Sequence, residues 1–139
     1  MKLPDQVRCS VSVSAFLCFV TKAVKDYNWY SEAQKRIEGE INDLNHKLEL
    51  DGLLYKERAK IATRLSDAFQ RRRTAKDAVQ LLTPIVEWAN SAEGAKALNQ
   101  LRETLGRCRK IEDNMSKRTY RFRVLREPDI QHKEGKNER

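Results

Sequence analysis

The chain has few of the residues that interrupt or cross-link a fold. With three prolines and five glycines in 139 residues, long stretches can run as helix, because these two residues are the ones that break or weaken it. Cys9, Cys18 and Cys108 are odd in number and widely spaced, with no C-x-x-C pair. That excludes a disulfide framework and argues against structural zinc, so they read as buried or inert thiols of a reducing compartment. His46 and His132 have no second ligand at metal spacing and read as exposed polar residues. No P-loop, dinucleotide fingerprint or G-x-S-x-G turn occurs, and the carboxylates fall mostly on outward helix positions matched by lysine or arginine. Neither enzymatic activity nor a cofactor or metal is expected. No apolar run approaches the eighteen or so residues a membrane span needs. The run Val11 to Val20 is a poor signal peptide, since Asp5 and Arg8 precede it and Ser12 and Ser14 interrupt it.

Charge is abundant. Charged residues make up 35 % of the chain and the formal net charge is +8, of which +4 falls on residues 51–82 and +4 on residues 117–139. Such a balance favours acidic partners, whether nucleic acid, nucleotide phosphates or an acidic protein surface.

The longest helical pattern runs from Leu54 to Leu82. Leu54, Ile61, Leu65, Ala68, Ala75, Val79 and Leu82 fall at steps of three and four or their sums, the register of a helix packed along its length. A first long helix is predicted from about Asp26 to Leu50, with Tyr30, Ile37, Ile41, Leu44 and Leu48 as its stripe and the pairs Glu32/Arg36 and Asp43/Lys47 on its solvated face. Gly39 in its middle suggests close approach by another helix. Asp51 and Gly52 make the turn, with glycine expected in the left-handed position that ends a helix. Thr83 and Pro84 read as the cap and first residue of a new short element, and Ser91 as the cap of a third helix carrying Leu98, Leu101, Leu105, Cys108, Ile111 and Met115. In this register Tyr27, Trp29, Tyr30 and Trp88 should gather at one end of the rod.

The flanks differ. Val7, Cys9, Val11 and Val13 alternate with polar residues as a strand does, after which Ser14 could cap a short helix; the alternative is that the whole segment is helical. Arg118, Tyr120, Phe122 and Val124 form a second period-two segment that could pair with the first. Residues 127–139 are polar and expected to be disordered.

The fold expected is therefore all-α, an antiparallel three-helix coiled bundle of long helices with room for two short terminal strands. Residues 1–25 form an N-terminal strand or short helix, 26–117 the bundle, 118–126 a basic extended segment and 127–139 a tail.

Candidate binding residues come from charge and aromatics. Arg71, Arg72 and Arg73 are spread about 100° apart on a helix and cannot form one flat patch. Arg72 falls on the seam and should need an acidic partner, with Glu32 and Glu103 at suitable heights. That arrangement would simply fix helix register, while Arg71, Arg73 and Lys76 would reach outward to phosphates or carboxylates. Arg58 poses the same question. Trp29 and Trp88 are the aromatic anchors such an interface would use. The run Arg118, Tyr120, Arg121 and Arg123 interleaves cations with aromatics as a single-stranded nucleic-acid platform does, although it equally resembles a buried strand face.

The segments Tyr27-Asn28-Trp29-Tyr30 and Leu44-Asn45-His46-Lys47-Leu48, with the run Thr119 to Leu125 after the third helix, resemble small helical accessory proteins of phages and prophages of Gram-positive bacteria. The resemblance covers residues 26–125. It implies a protein that works in the cytoplasm of an infected or lysogenic host and binds, inhibits or redirects a host protein, defence proteins included. Alternatives are a nucleic-acid-binding regulator and an oligomer that sequesters a nucleotide signal. The partner expected is a host protein with an acidic surface, with no membrane involved and with the chain acting as a homo-oligomer.

Overall fold

The structure, a computed structural model, describes residues 8–125. The predicted tail at 127–139, together with Val7, Arg126 and His132, lies outside the described residues. Three helices follow one another: α1 (Cys9–Leu50), α2 (Tyr55–Asn90) and α3 (Ala92–Ser116). They pack on one another as an all-α bundle.

Two apolar clusters hold it together. Ile37, Ile41 and Leu44 of α1 meet Ile61, Leu65 and Ala68 of α2, with Leu48 and Leu53 against them. Here the predicted steps of three and four bury the residues they named from Ile37 to Leu44 and from Ile61 to Ala68, whereas Leu54 of the same α2 stripe and Ile111 and Met115 of the α3 stripe are exposed. Ala68 is fully buried, and its small side chain lets the two backbones come close. Toward the other end, Val20 of α1, Ala89 of α2 and Leu98 of α3 join, flanked by Leu17, Val24 and Ile85. α3 runs antiparallel to α1, because Leu98 lies against Val20 while Glu112 reaches Ser10. α1 is thus a common spine, with α2 along its middle and C-terminal part and α3 along its first turns.

Several sequence expectations are corrected. Residues 9–14 are helical, not a strand. α1 begins without a side-chain cap and with no acid in its own first turn. Instead, Glu112 of α3 accepts from the Ser10 amide at 3.3 Å and from the Ser10 hydroxyl. A carboxylate at the positive end of the helix dipole satisfies an amide that would otherwise lack a partner, which is what favours helix there. α2 does not stop at Thr83 but runs through Pro84 to Asn90, since Val86 and Ala89 continue its buried stripe. No glycine among the described residues has positive φ. The first joint is made by extended Asp51, and the Leu53 amide donates to the Asp51 carbonyl at 2.8 Å. Gly39 is exposed, with open space where a Cβ would stand, so no helix approaches it. After α3, residues 118–122 have no regular structure, so the second predicted strand is not formed.

Ser91 alone separates α2 from α3. As predicted it caps α3, its hydroxyl oxygen accepting from the Gly94 amide at 3.0 Å and its O–H donating to the Trp88 carbonyl at 2.6 Å.

Candidate functional site

Between the middle of α1 and the middle of α2 lies an open groove of about 520 Å³. Trp29 and Tyr30 form its aromatic wall, their rings edge to face at 4.9 Å. Trp29 is 59 % exposed although it is the largest side chain type in the chain. Opposite stand Asp67, Gln70, Arg71 and Thr74 of α2, with Ala33 and Ala75 in the floor.

Charge in the groove is mostly settled within the chain. Arg71 donates to Glu40 Oε2 at 3.0 Å and to Asp67 Oδ2 at 2.8 Å, and Arg64 lies 3.6 Å from Glu40. The hydrogen bond to Glu40, then the one to Asp67, raises the Arg71 pKa above its ordinary value. Arg36 also lines the groove and, among the described residues, has no ion pair; the expected Glu32/Arg36 contact is not made.

The groove belongs to a longer surface. On α1, steps of three and four lead from Phe19 through Lys22, Asp26, Trp29, Ala33 and Arg36 to Glu40. On α2 the same steps lead from Asp67 through Arg71, Thr74, Ala78, Leu81 and Ile85 to Trp88. Each stripe lies beside the buried seam of its own helix, so the α1–α2 hairpin carries a second pair of seams along one flank. Phe19 is 55 % and Leu81 80 % exposed, while Ala78 and Ile85 are half-buried.

No protein-family model, curated protein or solved structure matches the chain.

Of the residues singled out from sequence, Trp29 and Arg71 meet in the groove. Trp88 does not join them; it stands edge-on to Phe16, with ring centroids 6.3 Å apart, and Phe16 lies 6.5 Å from Phe19. The expected aromatic end fails because α1 starts seventeen residues before Asp26, so Trp29 sits well inside the rod. Arg72 has neither Glu32 nor Glu103 as partner; its guanidinium lies 5.4 Å from the Phe69 ring centroid, a cation–π contact that leaves the charge at the half-buried edge of the seam. Arg73 and Lys76 are exposed and make no ion pair among the described residues. Arg58 is exposed as well. Arg118, Tyr120, Arg121 and Arg123 are all exposed, with Tyr120 edge-on to Phe122 at 6.1 Å. Glu40, Asp67, Arg36 and Tyr30 were missed as site residues. The Asp67/Arg71 spacing of four was a readable signal for one pair, whereas the bond to Glu40 depends on the register between helices.

Among the described residues no group of three histidine, cysteine or acidic side chains could hold a metal ion. No described helix is long and apolar enough to cross a membrane.

Proposed function

We propose that the chain is a non-enzymatic interaction protein, of the phage accessory type its sequence resembles, that docks on an acidic host protein and inhibits or redirects it. The observation that carries this reading is the uncommitted positive charge on α2. Arg71 turns toward the groove and is held by two carboxylates. Arg73, two residues on and so about 200° around the helix, points away from it. Lys76 follows Phe69 and Arg72 at the next step of four, and neither Arg73 nor Lys76 has an acidic partner among the described residues. Exposed cations beside a partly exposed phenyl ring suit a carboxylate-rich protein surface. The apolar census points the same way. Among the described residues sixteen large hydrophobic side chains are exposed, more than the fourteen hydrophobic residues of any size that are buried.

The test is capture from a host lysate, with and without nuclease, using the native chain and the double variant Arg73→Glu/Lys76→Glu. A protein retained by the native chain under both conditions and lost with the double variant is the expected result. Retention that ignores the charge reversal would overturn this assignment.

The exposed Tyr120/Phe122 pair among Arg118, Arg121 and Arg123 favours a second reading, binding of single-stranded nucleic acid. That reading expects capture that disappears with nuclease, an affinity falling linearly with log salt, and loss on charge reversal at Arg121 and Arg123.

A further inference from the structure

We propose that the flank of the α1–α2 hairpin carrying the groove is the interface between two copies of this chain, joined by a two-fold axis running along the helices. Three observations choose a second copy as the occupant.

The first is charge. A chain of net charge +8 can pair with itself only through a surface that does not set like charges face to face. This flank is balanced: Lys22 pairs with Asp26 at 3.8 Å, and Arg71 with Glu40 and Asp67. Arg36 is the one cation of the two stripes without an ion pair among the described residues.

Shape and register supply the second. Within one chain Glu40 is bridged to both Arg64 and Arg71 and Val20 packs on Ala89, which sets Arg36 level with Arg71, one turn from Asp67, and Trp29 level with Ala78. A two-fold axis along the hairpin keeps these levels and sets α1 of each copy against α2 of the other. Trp29 then enters the small-residue stretch around Thr74 and Ala78 of the other copy, and Arg36 lies one turn from its Asp67, within reach of that carboxylate. Higher up, Phe19 meets the other copy's Ile85 and Leu81. Large faces small, cation faces anion and apolar faces apolar, so the surface complements itself.

The third is size. From Phe19 to Glu40 the stripe is roughly 32 Å long at 1.5 Å per residue. Across two helices about 10 Å apart the flank is roughly 20 Å wide, a footprint of roughly 600 Å² on each copy and within the range of specific, stable interfaces. Arg73 and Lys76 stay outside this contact, so pairing leaves the proposed host-binding cations free.

The measurement is the mass of the full chain in solution by light scattering and sedimentation equilibrium, with four proteins: native, Trp29→Glu, Leu81→Glu and Arg73→Glu. Trp29 and Leu81 are exposed in the single chain, so far-UV circular dichroism should show all four equally helical. The native chain and Arg73→Glu should have twice the 16.2 kDa chain mass. Trp29→Glu and Leu81→Glu should weaken self-association by about a hundredfold or more, because symmetry buries each introduced charge twice. A native chain that stays at 16.2 kDa, or a dimer that survives both flank substitutions, would overturn the proposal.

Discussion

Gly94 sits where α3 begins and is the glycine whose replacement should matter most. Alanine in the first turns of a helix ordinarily stabilises by up to about 1 kcal/mol. Here a Cβ would stand 1.7 Å from the Trp88 carbonyl oxygen and 2.6 Å from its carbon, both backbone atoms of the preceding helix. Neither can turn aside as a side chain would, so α3 must back away from α2 by more than an ångström. The Ser91 cap then loses its bond to the residue 94 amide, a loss of about 1 kcal/mol. The junction of Val20, Ala89 and Leu98 opens as well, and giving up about half the burial of two such aliphatic side chains costs about 2–3 kcal/mol. Set against the helix-propensity gain, Gly94→Ala should destabilise the chain by about 2–3 kcal/mol. Urea unfolding followed by circular dichroism and by tryptophan fluorescence, at one protein concentration, reads this as a fall in midpoint of roughly 1–2 M. Gly39→Ala is the matched control, because open space surrounds that position on an exposed helix face. It should raise stability by about 0.5–1 kcal/mol. Gly94→Ala as stable as the native chain, or moving in step with Gly39→Ala, would refute the contact argument.

Leu65→Ala removes the side chain of a buried member of the main cluster and should cost about 2–4 kcal/mol, with the lower half favoured because a narrow seam can relax into the space; thermal or urea unfolding checks it. Glu112→Ala takes away the partner of the Ser10 amide and hydroxyl. It should cost about 1 kcal/mol and speed amide exchange over residues 10–12 without touching the exchange of residues 37–44. Pro84→Ala restores an amide donor for the Gln80 carbonyl inside α2 and should raise stability by about 1–3 kcal/mol; a fall on urea unfolding would show that the end of α2 depends on the fixed proline φ.

Where helix meets helix through regular spacing, the sequence was sufficient. Ile37, Ile41 and Leu44 against Ile61, Leu65 and Ala68 follow from steps of three and four, and the Ser91 cap follows from residue type and position. What could not be read locally was settled by distant partners. The alternation from Val7 to Val13 suits a strand as well as a helix, and the carboxylate that tips it toward helix comes from Glu112, at the far end of the chain. Thr83-Pro84 has the form of a helix start, yet the apolar spacing on both sides of it lets α2 pass straight through. Misplacing the start of α1 then moved the expected end of the rod and put Trp88 beside Trp29 instead of Phe16. For the candidate site, residue types were informative and pairing was not. Trp29 and Arg71 were picked out for their chemistry, while the groove they share, and the capture of Arg71 by Glu40, exist only once the α1–α2 register is set.

A spine whose first turns are covered by the last helix has an order of assembly imposed by translation. The α1–α2 hairpin can close as soon as Asn90 has left the ribosome. Leu17, Val20 and Val24, by contrast, must wait for Leu98, which is joined to the chain roughly 0.4–1.6 s after Asn90 at 5–20 residues per second. Through that interval the start of the chain is a greasy ribbon without its cover, and Glu112, the residue that fastens the first turn, is made later still. The nascent protein is therefore most open to chaperones, and to premature encounters with other nascent copies, at its beginning, while its middle is already folded.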